Sequence, residues 1–515
     1  MSALDLYSGP WTERQVVHLY HRAVYGASIG QIKKGVQQGL LAATDELFRD
    51  RPMPNPPINV NYATDPDVPI GETWVDKGTS ANVNGYRNAS LRAWSLKNIY
   101  NSEISIIEKM LIFWHNHFVT ADINDPRLSY IYIQLLRSQA LGNFKTLAEQ
   151  ITIDPAMLNY LNGRDNTNRA PNENYARELM ELFTLGKGEL AGPGDYTTFT
   201  EQDVKEIARA LTGWIDTRNI LPISSEFRAG RHDTGTKTLS HRFGNITIAN
   251  GGADEYKNVI NIIFNRTEVA TFLVTKLYRW FVNTEITDTA YQEVILPLAE
   301  MLRKDQYVVK NVLKTLLSSN HFYEDCNVGA LIKDPITFVM NPTSTFEIDQ
   351  PQEAVANERA FLGLYASTFS LQMGMYQCPA VAGWQPTYQS PVFGKLWLNS
   401  TTLPLRKKQT DFVATTSLTY STNKVGLDVF KILKEISDPS DANVVVTEFT
   451  NYTFPFPLEA NQIAKVVELL IPSNWKTIYN TYAADPQNTQ KQLPVINRMR
   501  QMLMYVMRMP EFHLY

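Results

Sequence analysis

Cysteine is almost absent from this chain of 515 residues, which contains only Cys326 and Cys378. Two cysteines in so long a chain are too few for a disulfide framework, and they form no Cys-x-x-Cys zinc pattern. No apolar run approaches the ~18 residues of a membrane-spanning helix. The N-terminus lacks a basic stretch followed by an apolar one, so no signal peptide is visible. These absences predict a soluble cytoplasmic protein, although a chain whose leader had been removed would have the same features.

An excess of positive charge is also missing. The chain has 48 Lys and Arg against 52 Asp and Glu, with a formal net charge of -4. Proteins that bind nucleic acid normally present a basic face, so we expect no nucleic-acid partner. The sequence contains no Gly-rich phosphate loop, no Gly-x-Ser-x-Gly elbow and no His-Glu-x-x-His motif. Hydrophobic residues, in contrast, make up 44% of the chain, which is enough to form a large buried core.

Helical periodicity dominates the sequence. Residues 102–118 form the clearest amphipathic pattern, with apolar side chains repeating every three or four positions. Similar patterns recur over most of the chain, whereas residues 443–453 fit a strand. We therefore predict a mainly α fold, a large multi-helix globular body with irregular insertions and at most a small β hairpin. We divide it into a helical core at 1–345 and a C-terminal helical region at 346–515 that packs on the core.

Two segments of the core depart from the helical pattern. Residues 51–71 contain six prolines, which predicts an extended arm. Residues 216–254 are rich in Gly, Asn, Thr and Ser, with short alternating pieces. This pattern predicts a long excursion with a small hairpin, which would serve as a lid or rim.

The most informative segment is NENYARELMELFTLG at residues 172–186, which we predict to be a helix. At 100° per residue, Glu178 and Glu181 lie on one flank of this helix, together with Asn174. Two carboxylates three residues apart can chelate one divalent ion, or can hold two different pKa values. Alternatively, Arg177 pairs with Glu181 and a neighbouring cation pairs with Glu178.

Histidine is the second candidate for chemistry. His115 and His117 lie two residues apart at the end of the helix predicted at 102–118. Side chains two apart on a helix point about 200° apart, so the two rings cannot share a metal unless the helix ends between them. We expect one of the two, rather than both, to face the Glu178 helix. Each could equally be a packed or capping histidine.

Further polar residues follow in the next helix, predicted at 200–214, and in the excursion. Asp203 lies three residues after Thr200 and is typical of a capping box. Arg209 could bind an anion or could pair with a core carboxylate. His232 and Asp233 lie in the excursion, where they could close over a substrate or be ordinary surface residues.

These motifs occur in the order of a known family. The segments are HLYHRAVYGAS (18–28), EKMLIFWHNHF (108–118), DPAMLNYLNG (154–163), NENYARELMELFTLG (172–186), DVKEIARALTGW (203–214), RHDTGTK (231–237), VAGW (381–384), WLNSTTLPLR (397–406) and MPEFHLY (509–515). From about His18 to Tyr515 the chain resembles the bacterial domain-of-unknown-function 1800 family.

The resemblance implies a mostly helical bacterial protein without an established activity. It also implies that relatives are often exported. Their genes often lie beside one for an alkaline-phosphatase-like protein (domain of unknown function 1501), which is a candidate partner. Relatives usually have His where this chain has Phe183. If that His is a metal ligand or base, this chain lacks it; a packing role at a core position is equally tenable.

Two functions from different classes follow. The first is a hydrolase-like enzyme, with Glu178, Glu181 and His117 holding a divalent metal or transferring protons, and Arg209 binding an anionic group. The second is a non-enzymatic binding or assembly protein for a glycan or protein, whose polar motifs are structural. Convergence of the motifs on one open pocket would favour the enzyme. The predicted catalytic residues are Glu178, Glu181, His117, His232, Asp233 and Arg209.

Overall fold

The computed structural model describes residues 2–384, 393–420 and 423–515. The fold is mainly α-helical, as the periodicity predicts. The helices, numbered α1 to α22 in chain order, are Glu13–Ala23, Ile29–Leu47, Ala81–Tyr100, Ile107–His117, Pro126–Ser138, Phe144–Thr152, Pro155–Tyr160, Asn174–Glu178, Glu201–Ala210, Glu255–Phe264, Thr267–Phe281, Asp288–Ala290, Leu296–Lys304, Val309–Leu317, Pro335–Thr345, Ala354–Ser370, Thr402–Thr415, Val429–Lys434, Ala442–Thr453, Ala460–Leu470, Pro472–Ala483 and Thr489–Val506.

The strands of the described residues form small two-stranded antiparallel sheets, pairing β1 with β2, β3 with β4, β5 with β6 and β7 with β8. The strands β1 to β8 are Leu190–Gly192, Asp195–Tyr196, Trp214–Asp216, Ser225–Phe227, Lys237–Thr238, Thr247–Ile248, Ser417–Tyr420 and Asn423–Gly426. The hairpin predicted in the excursion is therefore present, as β5 and β6.

The helix predicted at 172–185 is regular only at its start. After α8 the chain continues as a π-helical segment, Leu179–Thr184. The backbone N–H groups of Leu185 and Gly186 both donate to the carbonyl of Met180, each at 3.0 Å. Because this winding is wider than that of an α-helix, the 100° wheel does not describe residues after Glu178.

The strand predicted at 443–453 is wrong, because these residues form α19. The side chain of Asp441 caps the helix by accepting hydrogen bonds from two of its first N–H groups. Val446 and Phe449 are fully buried, three residues apart on one helical face. The run of valines at the start of α19 favours a strand by propensity alone, and the cap and the packing override it.

The start of α9 is predicted correctly. The N–H of Thr200 donates to the Asp203 carboxylate at 2.7 Å, while the Thr200 hydroxyl accepts from the Asp203 N–H at 3.4 Å. The same carboxylate accepts from the N–H of Ser240 at 2.7 Å, so the cap also attaches the excursion to α9.

The proline-rich segment at 51–71, every residue of which is described, contains no helix and includes several turns and bends. The Asn59 side chain holds its bend by donating to the carbonyls of Tyr62 and Val68, at 2.9 and 2.8 Å. Asp65 then forms a fully buried ion pair with Arg87 of α3, at 2.9 Å. The arm is therefore fixed to α3 of the helical body through Asp65.

The boundary we place at residue 345 crosses continuous packing. Helix α3 packs on α16, and α1 packs on α19. One cluster of buried apolar side chains contains residues from both sides of the boundary. Within the described parts of the chain, we find no helix whose length and apolar character would let it cross a bilayer.

A short backbone ladder joins residues 331–333 to residues 513–515. The N–H of Tyr515 donates to the carbonyl of Leu331 at 2.9 Å, and the N–H of Lys333 donates to that of His513 at 2.8 Å. The ladder lies in a region where four cationic side chains are fully buried, and aromatic rings of the last residues lie against them. These cations are Arg22, Lys109, Lys333 and Arg406.

Candidate functional site

A cavity of about 390 Å³ lies between α4, α11 and the π-helical segment, and we call it the His117 cavity. It is concave and open to one side, with a size in the range of small-molecule sites. Aromatic rings form much of its wall, and charged groups are few. Its lining residues are Phe113, Asn116, His117, Glu181, Leu182, Gly186, Lys187, Phe272, Thr275, Lys276, Arg279, Trp280, Val381 and Ala382.

Helix α11 supplies one complete face of the cavity. The side chains on this face follow the i, i+3, i+4, i+7, i+8 pattern of a single helical stripe. The neighbouring face of α11 is fully buried in the core, so the helix is held rigidly by apolar packing. The cavity-facing residues are Phe272, Thr275, Lys276, Arg279 and Trp280.

His117 lies at the end of α4 and is buried beside the cavity. Its Nε2 lies 2.9 Å from the carbonyl oxygen of Phe183. Because a carbonyl only accepts, Nε2 carries the proton and Nδ1 is left as an acceptor. Nδ1 lies 3.2 Å from Nζ of Lys276. Burial, followed by the charge of Lys276, lowers the pKa of His117 well below its usual range, so the ring is neutral.

Lys276 is the cation closest to this ring. Its Nζ donates to Nδ1 of His117 and to the carbonyl of Leu182, the latter at 3.0 Å. Burial and the nearby charge of Arg279 lower the pKa of Lys276 to about 7. An amine with this pKa is about half deprotonated at neutral pH and can accept a proton there.

The remaining charges of the cavity favour an anion. Lys187, Lys276 and Arg279 line it, against the one carboxylate of Glu181. Glu181 is already paired with Lys187, at 3.3 Å. A low-dielectric cleft with an excess of one charge attracts ligands of the opposite sign.

Glu178 lies beside the cavity rather than in its lining. Burial, and then the charge of Glu181, raises the pKa of Glu178 to about 7. The alternative pairing of Arg177 with Glu181 is not observed. Arg177 instead makes a bidentate contact with Glu201 of α9, at 2.7 and 2.8 Å, and a further contact with Glu173.

The wall opposite α11 depends on a glycine. The carboxamide oxygen of Asn116 accepts from the N–H of Trp384 at 3.0 Å. Gly383 precedes Trp384 with φ +107°, and a Cβ on it would lie 2.3 Å from the Asn116 oxygen. Only glycine allows the chain at Val381 and Ala382 to approach α4 this closely.

His115 faces away from the cavity, as the spacing of the two histidines predicts. Its Nε2 accepts from the N–H of Tyr376 at 3.1 Å, and its Nδ1 lies 3.3 Å from the Tyr132 hydroxyl. His115 therefore joins α4 to α5 and to the segment after α16.

The other predicted histidine belongs to a separate buried cluster, the His232 network of His232, Lys237 and Glu255. Nε2 of His232 lies 3.1 Å from the Glu255 carboxylate, and Nζ of Lys237 lies 2.5 Å from its other oxygen. Nδ1 of His232 lies 2.9 Å from the carbonyl of Thr212. All three members of the network are almost or fully buried, so they fix the excursion to α10.

Asp233 and Arg209 extend this attachment to α9. Arg209 contacts the Asp233 carboxylate at 2.8 and 3.2 Å, and also contacts Glu206 at 2.7 Å. The Arg209 guanidinium lowers the pKa of Asp233. The excursion contributes no residue to the His117 cavity, so the structure brings only His117 and Glu181 of the six predicted catalytic residues to its lining.

The chain matches a known protein family over nearly its whole length. Residues 18–514 match the model of a family described as a protein of unknown function, DUF1800. The chain belongs to this family. No curated protein and no solved structure matches it.

The predicted metal ligands do not form a coordination set. Within residues 2–384, 393–420 and 423–515, no group of three His, Cys, Asp or Glu side chains is placed to hold a metal ion. His117 uses one ring nitrogen for the Phe183 carbonyl and turns the other to Lys276. Glu181 is paired with Lys187. A metal role for Glu178, Glu181 and His117 stays a prediction.

Sequence reasoning does not find Lys187, Lys276 and Arg279. The pattern at residues 267–282 predicts a helix, but it does not mark the cations of that helix as functional. The available signal was the stripe formed by Phe272, Lys276 and Arg279 in a helix whose other face is entirely apolar. Cations on the inner side of a core helix are candidates for shifted pKa values, which cluster at functional sites.

Proposed function

We propose that this DUF1800 protein is a hydrolase-like enzyme whose active site is the His117 cavity and whose substrate is a small anionic molecule. The observation that carries the proposal is the contact of Lys276 with both His117 and the Leu182 carbonyl at the cavity wall. This contact fixes an amine, with a pKa of about 7, where a bound ligand can reach it.

Each polar group of the cavity has a role in this proposal. Lys276 takes a proton from the attacking water and later returns it to the leaving group. His117 orients the Lys276 amine through Nδ1, because its own tautomer is fixed by the Phe183 carbonyl. Arg279 and Lys187 bind the anionic group, and the rings of Phe272 and Trp280 exclude water from the ligand.

The buried polar motifs favour a second candidate function, a non-enzymatic binding protein. The His232 network and the contact of Arg209 with Asp233 are mutually satisfied and lie outside the cavity, which is typical of residues that lock elements together. In that case the His117 cavity holds a ligand or a side chain of a partner without turnover. An alkaline-phosphatase-like protein, the neighbour implied by the family resemblance, is the partner to test first.

The experiment is a turnover assay between pH 5 and 9 on p-nitrophenyl esters and phosphate esters that carry an anionic group. We compare the parent with Lys276→Met and Arg279→Gln, using Lys34→Met, an exposed lysine on α2, as the matched control. The expected result is an activity that rises with pH through about 7 and falls about 100-fold or more in Lys276→Met.

Three outcomes separate the alternatives. Activity that survives in Lys276→Met overturns the proposed role of the lysine. Activity that disappears only when chelators are added would restore the metal hypothesis for Glu178, Glu181 and His117. Binding of an anionic ligand that requires Arg279, without turnover in any assay, would favour the binding protein.

A further inference from the structure

A second cavity shares none of its lining residues with the His117 cavity. It has a volume of about 420 Å³ and lies between α16 and α17, so we call it the α16–α17 slot. Most of its lining is apolar, and one of its rings, Phe412, is 44% exposed. The apolar lining includes Ile348, Phe361, Leu364, Leu405, Phe412 and Val413.

The floor of the slot is fixed by two hydrogen bonds. The Ser367 hydroxyl of α16 donates to the Gln409 side chain of α17 at 3.0 Å. The hydroxyl of Tyr100 donates to the carbonyl of Ile348 at 2.7 Å. These bonds join α16 to α17 and α3 to the segment before α16, so the slot is part of the folded framework.

A glycine keeps the slot open. Gly363 lies in the middle of α16 and lines the slot, where glycine costs helix stability relative to any ordinary side chain. A Cβ built on Gly363 meets no atom within 4 Å, so neither packing nor backbone conformation requires glycine there. A larger side chain can therefore be placed at this lining position without a clash at its Cβ.

Two cations lie among the lining residues of this apolar space. Arg359 is one helical turn before Gly363 on α16, and Lys408 is on α17. Both are exposed, and no described carboxylate forms an ion pair with either. The one acidic lining residue, Asp349, is already neutralised by Lys431 at 2.9 Å. The slot therefore combines a long apolar surface with uncompensated positive charge.

We propose that the α16–α17 slot binds a single-chain anionic amphiphile, such as a free fatty-acid carboxylate. The hydrocarbon chain lies against Phe361, Leu364 and Leu405. The carboxylate lies at the opening between Arg359 and Lys408. The proposal does not depend on catalysis in the His117 cavity.

The first experiment measures binding of decanoate and dodecanoate by calorimetry, below their micelle concentrations. Each buried methylene contributes about 0.8 kcal/mol, so dodecanoate is expected to bind about 15-fold more tightly, at one site per chain. Dodecanol and dodecyltrimethylammonium have the same chain with a neutral or cationic head. We expect both to bind more weakly than dodecanoate.

The second experiment fills the slot. Gly363→Leu places a side chain in the open space and replaces glycine with a strong helix former, so it is expected to fold and to lose dodecanoate binding at least tenfold. Gly85→Leu is the matched control, because Gly85 also lies inside a long helix, is exposed, and has no atom near its ideal Cβ. This control is expected to bind as the parent does. Circular dichroism melting verifies that both variants are folded.

The third experiment removes the charges. Arg359→Gln and Lys408→Gln are each expected to weaken dodecanoate about two- to fivefold at low salt, with little effect on dodecanol. Equal binding of dodecanoate by the parent and by Gly363→Leu overturns the proposal. Dodecyltrimethylammonium binding as tight as dodecanoate binding overturns the charge assignment. Binding of anionic phospholipid vesicles that Gly363→Leu abolishes, without stoichiometric binding of dodecanoate, would make the slot a membrane contact instead.

Discussion

The reactivity of Lys276 gives the most direct test of the His117 cavity. Acylation requires a neutral amine, so trace labelling with acetic anhydride reports the fraction of each lysine that is deprotonated. The modified peptides are quantified by mass spectrometry between pH 5 and 11. Lys34 on α2 is exposed and serves as the internal reference in the same molecule.

The magnitude follows from the position of the amine. With a pKa of about 7, half of Lys276 is deprotonated at pH 7, whereas at the ordinary value of 10.5 about one lysine in 3,000 is. The deprotonated fraction is therefore about 1,600-fold larger. A less basic amine is also a weaker nucleophile, and a Brønsted coefficient of about 0.4–0.5, as found for thiols, reduces this advantage by roughly 25- to 55-fold. Lys276 should react about 30- to 60-fold faster than Lys34 at pH 7.

At high pH the order reverses. Near pH 11 both amines are largely deprotonated, and Lys276 becomes the slower of the two because only its lower nucleophilicity remains. This crossover distinguishes a lowered pKa from simple accessibility, which would change the rate at every pH alike. A labelling midpoint above about pH 9 for Lys276, or a rate that follows Lys34 throughout, would refute the reasoning.

Arg279 provides a second arm of the same test. Its charge contributes to the lowered pKa of Lys276, after burial. Arg279→Gln should therefore move the labelling midpoint of Lys276 upward, towards that of Lys34. A downward movement of the midpoint would contradict the electrostatic account.

The same shift predicts how stability depends on pH. The unfolded chain binds a proton at Lys276 up to about pH 10.5, whereas the folded protein releases it at about 7. Between these values the unfolded state binds more protons, so this residue makes stability rise with pH in that window. In Lys276→Met that contribution is absent, and denaturant titrations at pH 6.5 and 9 should show a smaller rise than in the parent.

Three further predictions concern the surroundings of the cavity and the excursion. Glu178→Gln mimics the protonated acid, and the pKa of Glu178 is about 7 in the folded protein against an ordinary value of 4.5. The variant should therefore have a higher melting temperature than the parent at pH 8 and the same melting temperature at pH 4, and equal melting temperatures at pH 8 would disprove the shift. Lys237→Met leaves the buried Glu255 carboxylate without its cation and should cost about 3–5 kcal/mol in urea denaturation, whereas a loss under 1 kcal/mol would mean that the site takes up water. Gly383→Ala forces a Cβ against the Asn116 oxygen at a positive φ and should cost about 1–3 kcal/mol, and an unchanged unfolding midpoint would show that the wall moves freely.

The features predicted correctly are local ones. The cap at Thr200 depends on residues three apart, and the orientation of His117 depends on the angle between neighbours of one helix. Each of these requires only a short stretch of sequence.

The features that sequence reasoning does not find depend on contacts between distant segments. The pKa of Lys276 is lowered because α11 buries it against α4 and the π-helical segment, and these three are far apart in the chain. The strand predicted at 443–453 failed because valine propensity is weaker than a helix cap and core packing. The partners of Arg177 and Glu181 could not be read from a regular wheel once the π-helical winding replaced it.

Buried cations lie beside the ladder between residues 331–333 and 513–515. Their packing constrains the order in which the chain can fold during synthesis. Arg22 leaves the ribosome early, yet the rings of Phe512 and Tyr515 that shield the neighbouring charges are made almost a full chain later. At roughly 5–20 residues per second, this interval is about 25–100 s. Throughout this interval, Arg22 lacks the ring of Tyr515 and Lys333 lacks the ring of Phe512. The packing around these cations is therefore completed only after the last residues of the chain have been made.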